Sequence, residues 1–451
     1  MKNLFLSVAL LFATSMLFAQ TAPLDPDCAG CGTPIVKKAQ TPNSKRPRVT
    51  YVLRTINTSE VYSTGELNIV KVGQTGAGNY SLITQHGLAP AVNGIRNDSD
   101  VEQIGLQNYS VILQEGKDHE ADVIQDGDKN YANIWQKKDL NIAGIKQDGN
   151  SNYSEIDQFG TDNDARIGQI GNFNTAFQKQ KGSTTTPGNN NIADIDQTGN
   201  ENYANQWQEG NLNDVDMVQT GNGNASHQFQ VGNSNTANFE QVGDGNYLKQ
   251  NQIGDFNIAT KYTWGSIGNN NWVEQRQKGN YNFADIHQGG DRNVSFQKQE
   301  GNYNFSRVDQ CTGSDDNYAE VEQLGNYNDA FAGQYGDFNT VVQKQTGDHN
   351  YAYAYQSGNN NRSSETQLSL AGGSDFVNTS TVDQIGNNNL ACLHQIQSLA
   401  GLTNVSDINQ TGNGHAASVS QNASLNSNWS LVTQVGAQNS ACVIQIGNAS
   451  F

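Results

Sequence analysis

Cys28-Ala29-Gly30-Cys31 is the first place where residue types and spacing suggest metal chemistry. A Cys-x-x-Cys offers two thiolates to one zinc ion, but structural zinc takes four ligands and no second pair follows at ligand spacing. The motif reads as a local disulfide or as two idle thiols in a tail. The seven histidines are scattered and build no His-Glu-x-x-His. Asp126-Gly127-Asp128 has the carboxylates of a calcium turn without the Gly-Gly-x-Gly-x-Asp nonapeptide of calcium-binding β-rolls. Neither a Gly-x-Ser-x-Gly elbow nor a phosphate-cradling loop occurs. The expectation is no catalytic group, no cofactor and no metal.

Amide side chains are what the chain repeats. With Gln197 as position zero, Gln208, Gln219, Gln230, Gln241 and Gln252 follow at steps of 11. Two residues after each stands Gly199, Gly210, Gly221, Gly232, Gly243 or Gly254. Five residues after each stands Asn202, Asn213, Asn224, Asn235, Asn246 or Asn257. The seventh position is small or aliphatic, as in Ala204, Val215, Ser226 and Ala237. The same Gln step runs from Gln103 through Gln114 and Gln125 to Gln180, and resumes from Gln277 to Gln310 and from Gln323 to Gln367. About 32 such units cover the chain from Ser63 onward. Disorder imposes no register, so this phase lock predicts order.

The elements that position these amides follow from the spacing. Gly with two polar residues suits a sharp turn with positive φ. The next positions, 5, 7, 9 and 11, carry Asn, a small residue, a variable residue and Gln, and share one face of a strand. That face should point inward. Position 9 is apolar in succession at Ile112, Val123, Ile134, Ile145, Ile156 and Ile167. Further on it alternates, from Gln178 and Ile195 to Gln206, Met217, Gln228, Phe239 and Gln250. Tyr109, Tyr131 and Tyr153 repeat at 22. The superperiod predicts a coil of two strands back to back, each unit stacking on the unit two places away. The fold class is therefore all-β: a two-strand-per-coil β-solenoid of about 22 residues per coil and about 16 coils, roughly 75 Å long at the ~4.8 Å strand spacing. Cys392 and Cys442 occupy the eighth position two coils apart, ~9.6 Å, too far for a mutual disulfide.

Composition agrees. Hydrophobic residues are 35% of the chain, below the usual 45–50% or so, which disfavours a large apolar core. Stacked amides bond to the copies above and below, so a chain of low hydrophobicity satisfies its buried polar groups. Breaks in phase fall at 86–102, 182–191, 263–268, 310–313, 370–378, 396–404 and 421–434, mostly around the Gly. Pro90 and Pro187, the last two of seven prolines, lie in the two longest early breaks. Proline removes a ladder donor, so its confinement supports the division into strand and turn.

The formal charge is −18, and residues 73–451 carry 18 basic against 40 acidic residues. Such a surface repels nucleic acid and anionic lipid. Residues 1–19 read as a signal peptide, with Lys2, an apolar run from Leu4 to Phe18, and Ala19 before the cut. That run is short for a membrane span, so no integral membrane protein is expected. Residues 20–62 are basic and Pro-containing, and read as a flexible linker, a secretion-targeting segment or a cap, with β character at Val49–Leu53. Residues 63–451 form the solenoid.

These repeats resemble curlin, the subunit family of bacterial curli amyloid fibres, whose unit is roughly Gln-x-Gly-x-Gly-Asn-x-Ala-x-x-x-Gln. Gln219-Thr220-Gly221-Asn222-Gly223-Asn224-Ala225-Ser226, Gln74-Thr75-Gly76-Ala77-Gly78-Asn79 and Gln384-Ile385-Gly386-Asn387-Asn388-Asn389-Leu390-Ala391 carry the likeness. The chain has many more units than the usual five or so and few of the second Gly. The resemblance implies export through an outer-membrane secretion channel, a secreted, extracellular, cell-surface fibre, self-association with related fibre subunits, and roles in adhesion and biofilm matrix. The unit persists to Gln445-Ile446-Gly447-Asn448, so an uncapped C-terminal edge open to templating is expected. The competing reading is a monomeric β-solenoid adhesin or ligand-binding module for ice or carbohydrate. Outward positions of mixed Tyr, Asp, Thr, Ile and Lys lack the flat threonine ranks of an ice binder.

Overall fold

The computed structural model describes residues 56–64, 68–87, 96–182, 189–262, 268–311, 313–370 and 377–447. Residues 1–19, expected to be a signal peptide, residues 20–55 with Cys28, Cys31 and Val49–Leu53, and both Pro90 and Pro187 lie outside the described residues. The described residues form 33 strands, β1 to β33 in chain order. Odd-numbered strands build one sheet of 17 and even-numbered strands a second of 16.

Pairing is parallel and skips one strand. β7 (Tyr131–Asp139) lies between β5 (Tyr109–Lys117) and β9 (Tyr153–Thr161), placing Ile134 opposite Ile112 and Ile156. The intervening β6 (Glu120–Asp126) and β8 (Ile142–Asp148) pair in the other sheet, with Val123 opposite Ile145. The two-strand coil of about 22 residues, repeated about 16 times, is therefore the architecture. The alternation along position 9 resolves into two columns. Val101, Val123, Ile145, Ile167, Ile195 and Met217 stack in the even sheet, and Gln178, Gln206, Gln228 and Gln250 in the odd sheet.

Each strand alternates as its sequence does. In β14 (Asp214–Thr220), Val215, Met217 and Gln219 are buried while Asp214 and Asp216 are exposed. One apolar seam, from Ile83 to Ala354, runs between the sheets. Insertions leave the register intact. Gln169 still bonds Gln197 across a step of 28 residues, at 2.8 Å. β1 (Thr58–Thr64) pairs with β3 (Tyr80–His86), so the first coil reaches into the 20–62 segment. No helix among the described residues is long and apolar enough to cross a membrane.

Candidate functional site

The position-zero glutamines from Gln85 to Gln421 point between the sheets and are buried. Gln103, Gln125, Gln197, Gln219 and Gln241 belong to the even sheet, and Gln114, Gln208, Gln230 and Gln252 to the odd sheet. Each donates from Nε2 to Oε1 of the Gln one coil later: Gln103 to Gln125 at 2.8 Å, Gln197 to Gln219 at 2.8 Å, Gln208 to Gln230 at 3.2 Å. The second Nε2 hydrogen reaches across to a facing-sheet carbonyl, as from Gln219 to Tyr203. In the odd sheet the ladder runs unbroken from Gln85 to Gln445. Every bond in it has the same direction, so the rod is polar along its axis.

The asparagines close the corners. Asn202, Asn224 and Asn246 precede odd strands, and Asn213, Asn235 and Asn257 precede even ones. Asn202 Oδ1 accepts the backbone N–H of Asn224, and Asn202 Nδ2 donates to the carbonyl of Gly221. Glycine is needed at that corner twice over. Gly199, Gly210, Gly221, Gly232, Gly243 and Gly254 have φ between 112° and 124°, and a Cβ on Gly221 would stand 2.1 Å from the carbonyl oxygen of Gly243.

Two corner positions escaped the sequence reading. Position 3, Asn or Asp, forms a further ladder: Asn200 Oδ1 accepts from the N–H of Asn172, and Asp244 Oδ1 from that of Asn222. Asp128, in the supposed calcium turn, is one of these acceptors, bonded by the N–H of Leu106 at 2.8 Å. The visible signal was the recurrence of Asn and Asp three residues after Gln. Position 4 is left-handed even without Gly, as at Glu201, Ser234 and Phe256, with φ of 60°, 55° and 57°. Aromatics there form a corner stack: Phe256, Tyr281, Tyr303 and Tyr327 lie 4.9–5.0 Å apart and within 5° of parallel. On the odd sheet's outer face Tyr109, Tyr131 and Tyr153 stack likewise. These rings cover one another's faces.

Substitutions within the ladders alter charge. His119 takes the place of a corner Asn and is buried, which lowers its pKa. Glu365 stands in the position-9 Gln column, accepting from Gln343 Nε2 at 3.1 Å and from Ser380 Oγ; complete burial pushes its carboxyl up to about 8. Lys261, also fully buried, is pushed down to about 7 by desolvation and donates to the carbonyl of Glu240.

The stack is open at its ends among the described residues. β33 (Ser440–Ile446) pairs with β31 (Ala416–Ala423), and β32 (Asn428–Ala437) with β30 (Asn404–Asn413). Gln445 Nε2 bonds the carbonyl of Trp429, and Gln434 Nε2 that of Ala416. The donor each would turn to a next coil faces outward. At the other end Gln74 Nε2 donates to Gln103 Oε1, and it is the acceptor Oε1 of Gln74 that faces outward. One end of the rod thus offers amide donors and the other an amide acceptor.

Four stretches, residues 94–127, 188–221, 314–342 and 344–368, match the curlin associated repeat. The chain carries curlin associated repeats. The second stretch holds Gln197, Gly199, Asn202, Gln208, Gly210, Asn213 and Gln219, so the curlin unit and the amide ladder are the same residues. No curated protein sequence matches the chain. Curlin repeats mark a structural family, and the buried amides form its stacking surface rather than a cleft.

Proposed function

We propose that the chain is a secreted subunit of an extracellular curli-like amyloid fibre, polymerising by edge-strand templating and acting in adhesion and biofilm matrix. The observation that carries this reading is the axial polarity of the glutamine ladder. In a second copy docked head to tail, the outward donor of one terminal glutamine, Gln434 or Gln445, meets the outward acceptor of Gln74 and continues the ladder with the same bond, while the other meets the hydroxyl of Ser63, which stands in the Gln column of β1. Exposed Val435, Ile444 and Trp429, at 70%, 67% and 61%, would be covered by that copy. Export through an outer-membrane channel belongs to the same proposal and rests on the family and the apolar leader. A sugar-binding solenoid is less well supported, because face-on carbohydrate stacking needs free ring faces and the corner rings cover each other.

Seeded growth tests the proposal. Purified mature chain should give thioflavin-positive fibres by electron microscopy. Val443→Pro with Ile444→Lys alters only the last coil, so circular dichroism should change little while elongation from preformed seeds slows sharply. Unchanged elongation by a folded variant would assign growth to another surface.

A further inference from the structure

The described strands number 33, two to a coil, so the rod ends on a half coil. β33 is the last strand of the 17-strand sheet, and no even strand follows it among the described residues. Two strands climb one spacing of ~4.8 Å. If β1 of a second copy paired with β33, its β2 (Ile69–Ala77) would stand two spacings, ~9.6 Å, above β32. The even sheet would then lack one strand at the junction and leave rows of N–H and C=O groups unpaired inside the fibre.

We propose that successive copies are related by half a turn about the rod's axis, so that the two sheets change places at each junction. β1 of the next copy pairs with β32, and its β2 pairs with β33. This arrangement rests on the proposed fibre and fixes the contact between its subunits. Facing strands of a two-strand coil run in opposite directions, and the half turn reverses direction, so both new pairs are parallel. The climb of the chain continues with no missing strand. Each copy advances sixteen and a half spacings, about 79 Å, and presents its 17-strand sheet on alternate sides of the fibre.

The inward columns select the same arrangement. The seventh-position column of the even sheet ends in Ser380, Ser406 and Ser430, with Ser430 Oγ donating to Ser406 Oγ at 3.0 Å. The same column of the odd sheet begins with Ser59, Ser81 and Ser110. The half turn joins these two runs into one column of serines. Without it, Ser59 would meet Ala441, the end of a run of alanines, and Ser430 would face Val70. At position zero, Gln445 Nε2 meets Gln74 Oε1, so the odd-sheet ladder of one copy passes into the even sheet of the next. Gln434 Nε2 meets Ser63 Oγ, which itself donates to Gln85 Oε1 at 3.3 Å, so the hydroxyl keeps the direction of the ladder.

Disulfide mapping across the junction tests this in fibres of the full mature chain. Tyr62 on β1, Thr433 on β32 and Ile444 on β33 are exposed and stand at the outward tenth position. Paired residues there have Cα atoms about one spacing apart, within disulfide range. A Tyr62→Cys chain assembled with a Thr433→Cys chain and oxidised with copper phenanthroline should give a peptide linking positions 62 and 433. With an Ile444→Cys chain it should give no 62–444 link; Cys442, two residues away, is already disulfide-bonded. A 62–444 link in fibres would overturn the half turn and leave edge templating standing. Fibres with neither link would overturn both. Absence of fibres from the unsubstituted chain would sink the fibre on which the half turn rests. Electron cryomicroscopy of unsubstituted fibres gives a second readout. An advance of sixteen and a half strand spacings per copy is expected, and seventeen, about 82 Å, would overturn the proposal.

Discussion

Asn141 donates its backbone N–H to Nδ1 of His119, one coil earlier, at 3.3 Å. The ring's other nitrogen, Nε2, bonds the carbonyl of Glu115 four residues back. A corner Asn does the same with Oδ1 and Nδ2, so the Nε2–H tautomer of neutral imidazole reproduces the amide's acceptor and donor. His415 repeats the substitution, accepting from Asn439 and bonding Thr411. A protonated ring would turn a second donor on the N–H of Asn141.

Acid should therefore weaken the corner at His119. Burial lowers its pKa below the ordinary 6.5, so the unfolded chain binds the proton more readily. The contribution of the neutral ring is fully present above pH 6.5 and is lost as pH falls from 6.5 through the lowered folded value. His119→Asn removes that titration. Denaturation midpoints of variant and parent should lie close at about pH 8 and separate in the variant's favour below pH 6.5. A constant difference across that range would show that the ring does not titrate on folding.

Inward amides should outweigh outward charges. Gln219→Leu removes the acceptor of one of the two Gln197 Nε2 hydrogens, the other still reaching the carbonyl of Thr175, and removes one of two donors to Gln241 Oε1, the other being Ser226 Oγ; the broken ladder should cost about 1–3 kcal/mol. Asp216→Asn changes an exposed outward residue beside Asp196 and Asp214, and should shift stability by no more than about 0.5 kcal/mol. Indistinguishable urea midpoints for the two variants would contradict the ladder's role.

The two glycines of one corner should respond unequally. Gly221 has φ of 121° and a Cβ there meets a carbonyl oxygen, so Gly221→Ala should cost more than about 2 kcal/mol. Gly223 has φ of 66° and open space around it. Gly223→Asn should cost less than about 1 kcal/mol, because left-handed Asn is tolerated. Equal losses at both sites in thermal unfolding would mean that backbone angle alone governs the corner.

These corners show what the sequence made legible. The 22-residue recurrence of Tyr109, Tyr131 and Tyr153 carried the two-strand coil, because parallel in-register stacking brings like residues together. Position 3 was obscured because Asn200 and Asp244 differ as residue types yet share the Oδ1 that the ladder uses. Position 4 was obscured because Glu201, Leu212 and Phe256 take a left-handed backbone without glycine; the strain is about 1–2 kcal/mol, and the bonded corners on either side hold it.

Glu365 gives the second pH-dependent site, with the opposite slope. It occupies the inward column below Gln343 and above Leu393, so no cation compensates it there. Burial raises its carboxyl from 4.5 to about 8, while hydrogen bonds from Ser380, Gln343 and Ser363 oppose the rise. The folded chain thus holds a proton that the unfolded chain releases between pH 4.5 and 8. Stability is highest below 4.5 as far as this group is concerned, falls as pH rises through that window, and levels above 8, a loss of a few kcal/mol at roughly 1.4 per pH unit. Glu365→Gln restores the amide of the column and keeps an Oε1 acceptor for Gln343. Its advantage in guanidinium midpoint should be small at pH 4.5, grow steadily to pH 8, and stay flat to about pH 9. A pH-independent difference would mean that the carboxyl is already ionised in the folded coil.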